Sequence, residues 1–181
     1  SAALLMTTVR ALLRCRLDQP GSIAEAVGDV NRILYQDTAP SGSFVTLFLL
    51  EVETAGHLEW VRAGHDPALL YCAATDAVLE LGGPGMALGV DGVGSYLSGS
   101  RSGLVAGDVL LIGTDGIWET RNAAGETFGK ERLGRVLRDH HRLDAERILQ
   151  SILSAVEEFR GQGQIEDDIT LMIVKAPAAG T

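Results

Sequence analysis

Lysine is almost missing from this chain: only two of its fifteen basic residues are lysines, set against twenty-four acidic residues, for a net charge of −9. That balance excludes the uniform basic footprint of a nucleic-acid-binding domain, so neither DNA nor RNA is an expected partner. Cysteine is equally scarce. Cys15 and Cys72 lack the paired spacing of a zinc site and are too few for a disulfide framework, which leads us to expect two buried thiols in a reducing cytoplasm. Neither is followed six positions later by arginine, which removes the Cys-x₅-Arg phosphate loop from consideration. No apolar run reaches the ~18 residues of a membrane span, and no signal-peptide pattern opens the chain, so no membrane association is expected.

What is present is hydrophobic content of 46% in 181 residues, enough for one substantial core. Leu4, Leu5, Val9, Leu12 and Leu13 recur at helical spacing until Pro20-Gly21 breaks the pattern. Ser22-Ile23-Ala24-Glu25 is a capping box, and Ile23, Ala26, Val27, Val30 and Ile33 follow as the apolar face of a second helix. The pattern then turns β-rich, with strands expected at 44–52, 58–62, 68–72 and 78–81 in an antiparallel meander. A glycine-rich loop over 82–94 leads to a short strand near Tyr96 and a strong strand at 108–113. Helices are expected at 131–140 and 145–159, the second capped by Asp144, before a last strand at 169–174. Helices flanking a run of strands indicate an α+β domain with antiparallel sheets; 176–181 reads as a tail after a domain spanning 1–175.

The chemistry-bearing residues sit where these strands end. Asp115-Gly116 closes the apolar run Val109 to Thr114, and Asp167-Asp168 opens the run Ile169 to Val174. Carboxylates so placed suit Mg²⁺ or Mn²⁺, hard cations that favour oxygen donors. Taken singly, each pair also has a structural explanation, because Asp-Gly forms hairpin turns and aspartate often caps a turn before a strand.

The flanks narrow the choice. They read Gly107-Asp108-Val109-Leu110-Leu111-Ile112-Gly113-Thr114-Asp115-Gly116-Ile117-Trp118-Glu119, then Phe128-Gly129-Lys130-Glu131-Arg132-Leu133, then Asp167-Asp168-Ile169-Thr170. Ser1-Ala2-Ala3-Leu4-Leu5-Met6, Phe44-Val45-Thr46-Leu47 and Ala63-Gly64-His65-Asp66-Pro67 agree with the same pattern. In this order and spacing the motifs resemble the PP2C-like (PPM) serine phosphatases of the SpoIIE/RsbU branch over nearly the whole chain. The resemblance implies an α/β/β/α sandwich of two antiparallel sheets flanked by helices. It also implies a Mg²⁺- or Mn²⁺-dependent phosphoserine/threonine protein phosphatase whose substrate, in a bacterial regulatory pathway, is an anti-sigma factor antagonist. In such chemistry paired divalent ions lower the pKa of water and neutralise charge developing on the phosphoryl oxygens, so no protein nucleophile is required.

By the same resemblance Asp115 and Asp167 are metal ligands and the residues on which catalysis depends. Asp168 is either a further ligand, acting through water, or a solvated turn carboxylate; Gly116 either lends a carbonyl to a metal shell or supplies the turn. His65 has two readings, a general acid for the leaving serine oxygen or a loop residue fixed by hydrogen bonds, and Asp66 stands where the family commonly has asparagine. Glu119 and Arg121 belong either to a cleft rim or to a solvated face, Trp118 to core or substrate contact, and His57, His140 and His141 read as surface or strand residues.

One departure concerns the beginning. Family members carry a Gly-Asp-Val-x-Gly-His-Gly segment before Ala-Ala-Leu-Leu-Met, and its aspartate bridges two metals, whereas these residues open at Ser1. We therefore expect the C-terminal portion of a phosphatase domain with its N-terminal strands missing, weakly active or inactive alone. An unpaired sheet edge would favour pairing with a second copy as a homodimer. Two competing classes remain open: a non-catalytic pseudophosphatase that binds a partner, and a metal-dependent hydrolase of small phosphoesters.

Overall fold

The computed structural model describes residues 2–53, 56–164 and 166–176. The chain order is α1 (Ala2–Leu17), α2 (Ile23–Thr38), β1 (Leu47–Val52), β2 (Leu58–Ala63), β3 (Ala68–Cys72), β4 (Ala77–Leu81), β5 (Ser98–Arg101), β6 (Val109–Gly113), α3 (Gly129–His140), α4 (Ala145–Arg160) and β7 (Leu171–Lys175). These form two antiparallel sheets, β1-β2-β5 and β4-β3-β6-β7, as expected from the strand pattern. Contacts group the chain into two compact units. One comprises Ser1–Pro67 with Gly82–Gly103, the other Ala68–Leu81 with Leu104–Thr181.

In the first unit α1 and α2 cover the three-stranded sheet. The capping box at the start of α2 forms: the Glu25 N–H donates to Ser22 Oγ at 3.2 Å and the Ser22 N–H to Glu25 Oε2 at 2.8 Å. Such a cap contributes about 1 kcal/mol by satisfying N–H groups that lack a helical partner. Val27, Val30 and Leu34 are fully buried and pack with Val9, Leu13, Val61, Leu88 and Tyr96. Ile33, expected on this face, is 39% exposed, because Leu34 and not its neighbour completes the stripe begun at Ile23, Val27 and Val30. Leu4 is likewise exposed rather than core. Cys15, expected buried, lies exposed on α1, while Cys72 is buried within β3.

The glycine-rich segment after β4 is tied to α2 by two buried polar side chains. Asn31 Oδ1 accepts the Gly89 N–H at 2.9 Å and its amide donates to the Asp91 carbonyl at 2.7 Å. The Thr38 hydroxyl lies 3.3 Å from the Gly89 carbonyl. The short strand expected near Tyr96 falls instead at Ser98–Arg101, paired with β2. Tyr96 is a core side chain, and Gly99 lies under Trp60 so closely that a Cβ there would stand 2.5 Å from the indole. Pairing and close packing, not intrinsic propensity, make Ser-Gly-Ser-Arg a strand.

In the second unit β3 occupies the middle of the sheet and all five of its residues are buried, which is why it reads as an uninterrupted apolar run. Leu69, Tyr71, Val109 and Leu111 meet Leu133 and Leu137 of α3 and Ile148, Ile152 and Val156 of α4. Asp144 caps α4 as expected, accepting the Arg147 N–H at 2.8 Å. Buried Asp108 accepts the N–H groups of Ala73 at 2.9 Å and Val105 at 3.2 Å, so the acidic residue of the Gly107-Asp108 motif braces the entrance to β6. The strand expected from Ile169 begins only at Leu171, and residues 177–181 of the expected tail lie outside the described residues.

Candidate functional site

Strands β6 and β7 pair with Gly113 opposite Leu171, so the residues leaving β6 and those entering β7 emerge at one end of the same ladder. Thr114 extends that pairing with its side chain. Its N–H donates to the Thr170 carbonyl at 3.1 Å, while its hydroxyl accepts the Thr170 N–H at 3.0 Å and donates to the Asp168 carbonyl at 3.2 Å. A single hydroxyl thus locks the segment bearing Asp167 and Asp168 to the segment bearing Asp115.

Gly116 completes the contact. A Cβ at this position would stand 2.7 Å from the Asp168 carbonyl oxygen, so close backbone approach demands glycine although its φ is not left-handed. After it the chain closes a helical turn: the Glu119 N–H donates to the Asp115 carbonyl at 2.8 Å and the Thr120 hydroxyl to the Gly116 carbonyl at 2.6 Å.

The aspartates themselves are exposed. Asp115 Oδ1 accepts the Gly116 N–H at 3.0 Å, and Asp167 Oδ1 accepts the Asp168 N–H at 2.8 Å. Beside them lies a cleft lined by Gly116, Glu119, Thr120, Arg160, Gln164 and Asp167, with Glu166 and Ile169. Glu119 is therefore a cleft residue, and Arg121 lies beside it in sequence with Nε 3.7 Å from Glu166 Oε2. Exposed carboxylates of this kind suit a hard divalent cation in chemistry. In number they fall short, since among the described residues no group of three His, Cys, Asp or Glu side chains converges as a metal cluster.

Trp118 is 8% exposed and belongs to the core, with Lys130 Nζ 5.1 Å from its ring centre. His65 lies in the first unit, where Nδ1 is 3.5 Å from Thr46 Oγ1 and its carbonyl accepts a hydrogen bond from Arg62 Nε. His57 is bonded to Ser102, His140 to the Val136 carbonyl and His141 to the Arg138 carbonyl, as residues with structural roles would be. Thr114, Thr120, Arg160 and Gln164 were not legible as site residues. Only Thr114 carried a signal, its place inside the Thr-Asp-Gly motif.

Comparison with known proteins bears on the family and the fold. The sequence matches the family described as Stage II sporulation protein E (SpoIIE) over residues 1–177. No curated protein matches in sequence. Among solved structures, the SiaA PP2C domain of Pseudomonas aeruginosa superposes with a TM-score of 0.82 at 22% identity, over 97% of this chain and 70% of that one. The phosphatase domain of the cell fate determinant SpoIIE from Bacillus subtilis, presoaked with Mn, gives 0.62 at 22% identity, over 96% and 74%. The RsbU and RsbW domains of a Mycobacterium tuberculosis protein give 0.72 at 22% identity, over 97% of this chain and 48% of that one. At such identities the likeness establishes a PP2C-like fold.

Proposed function

Because this chain belongs to the SpoIIE family of PP2C-like serine phosphatase domains, we propose that it serves a metal-dependent phosphoserine/threonine protein phosphatase acting on an anti-sigma factor antagonist. One observation carries the reading: the Thr114 hydroxyl and Gly116 join the Asp115 turn to the Asp167-Asp168 segment at one end of the β6–β7 pair. The likeness to RsbU and SpoIIE structures supports the substrate class, and the Mn presoak of the Bacillus subtilis domain supports the metal. In this reading residues 1–175 belong to one phosphatase domain working in the cytoplasm.

Asp115 and Asp167 would hold Mg²⁺ or Mn²⁺ by charge, with Asp168 adding to the negative field and Gly116 offering a carbonyl lone pair beyond the one facing Thr120. When bound, the metal supplies activation of water and neutralisation of the phosphoryl oxygens. The chain's own contribution is placement: Thr114 and Gly116 set the spacing of the two acidic segments, and core-packed α4 fixes one wall of the cleft.

That no group of three His, Cys, Asp or Glu side chains gathers among the described residues favours a second reading, a partner-binding pseudophosphatase of the same fold. Turnover of a phosphorylated anti-sigma factor antagonist under Mn²⁺ titration separates the two. We expect metal-dependent release of phosphate, weak in these 181 residues alone and abolished in Asp115→Asn and Asp167→Asn, which keep size but remove charge. Binding of the phosphoprotein with no release at any metal concentration, by these residues and by a version extended with the family's Gly-Asp-Val-x-Gly-His-Gly segment, would establish the pseudophosphatase, and near-normal turnover by Asp167→Asn would remove that residue from the site.

A further inference from the structure

Of the described residues lining the cleft beside Asp167, Arg160 alone is cationic, while Glu119, Glu166 and Asp167 are acidic. It sits in the last turn of α4, a helix anchored in the core by Ile148, Ile152 and Val156. Arg160 is half-buried, and its stem is packed against the turn that follows the helix: a Cβ at Gly163 would stand 3.1 Å from Arg160 Cγ. Its neighbour in the acidic field, Arg121, is engaged by Glu166. Among the described residues no ion pair or hydrogen bond engages the Arg160 guanidinium, so its charge is left for something that enters the cleft.

From this placement we propose that Arg160 is the phosphoryl-binding residue of the cleft, holding the phosphomonoester of the substrate next to Asp115 and Asp167. The inference rests on the phosphatase reading above and gives it a substrate contact. A phosphomonoester is a dianion at neutral pH, and three carboxylates along the cleft repel it. Metal ions offset part of that repulsion, but a fixed cation also gives orientation. Guanidinium presents a planar fork of N–H donors that meets two phosphoryl oxygens at once, which an ammonium group does not. The C-terminal end of α4 is itself partly negative and would oppose an anion, so a cation in its last turn is needed if phosphate is to settle there. The competing role, simple compensation of that helix end, asks only for positive charge and would be met equally by lysine.

The test uses the whole 181-residue chain with Mn²⁺, orthophosphate as the probe, and Arg160→Met, Arg160→Lys and Arg135→Met, the last removing an exposed charge from α3. Orthophosphate affinity is read by NMR titration, KM by turnover of p-nitrophenyl phosphate and of the phosphoprotein, and folding by thermal unfolding. We expect Arg160→Met to weaken orthophosphate binding and raise both KM values by about tenfold or more, with Arg160→Lys recovering little and Arg135→Met unchanged. Unchanged orthophosphate affinity in Arg160→Met overturns the proposal. So does full recovery by lysine, a rise in KM for the phosphoprotein alone, or a wild-type chain that does not bind orthophosphate. Orthophosphate binding that depends on Arg160 upholds the proposal with or without turnover, since turnover bears on the catalytic reading alone.

Discussion

Thr114 shows how much of the site depends on one atom. Its hydroxyl takes the place of a backbone carbonyl in the β6–β7 ladder and reaches one residue further, to the carbonyl of Asp168. Valine has the same shape without the hydroxyl, so Thr114→Val leaves the Thr170 N–H without its acceptor and frees the acidic segment from the Asp115 turn. A lost hydrogen bond of this kind costs about 1 kcal/mol, small enough for the domain to stay folded. We expect the larger effect on the site: Mn²⁺ affinity, measured by calorimetry, falls more in Thr114→Val than stability does, and Thr114→Ser restores it. If metal affinity merely follows the melting temperature through both variants, Thr114 is a fold residue only. Gly116 makes the same point sterically, since its close approach to Asp168 could not be told from an ordinary Asp-Gly turn until the partner strand was in place.

Among the elements, the β3–β4 hairpin and α3 are joined through Asp76, whose φ of 50° places it in the left-handed region. Its Oδ1 accepts Arg138 Nε at 2.7 Å and the Tyr71 hydroxyl at 3.1 Å. The Arg138 hydrogen bond, aided by that of Tyr71, holds the carboxyl below its ordinary value of 3.8. A carboxyl with a depressed folded pKa contributes stability that is present above the unfolded pKa and lost as pH falls through the folded one. Asparagine also tolerates a left-handed backbone, so Asp76→Asn isolates the charge. The melting temperature of the wild type should exceed that of Asp76→Asn at neutral pH by a small margin, as suits an exposed pair, and the gap should close on acidification below 3.8. A gap that persists in strong acid would show that hydrogen-bond geometry, not charge, joins the hairpin to α3.

For the molecule as a whole the dominant quantity is the net charge of −9. An acidic phosphoprotein approaches against that field, and salt shortens its reach to ~8 Å at physiological ionic strength. We expect kcat/KM for such a substrate to rise with ionic strength at saturating Mn²⁺; a fall would reveal a local basic docking surface. Some of this protein was settled by residues close in the chain. Helical and strand periodicities, the Ser22 and Asp144 caps and the Thr-Asp-Gly and Asp-Asp-x-Thr motifs are local, so the elements, the antiparallel sheets and the family could be read without coordinates. Other properties depend on which distant segments meet. Strand pairing turned Ser98–Arg101 into β5, packing of the helices put Leu34 inside and left Ile33 and Leu4 outside, and the β6–β7 register brought the Asp115 and Asp167 segments to one end. Arg160 entered the cleft only because α4 packs on β7 and α3 through its apolar face, an interaction between elements that no local pattern records.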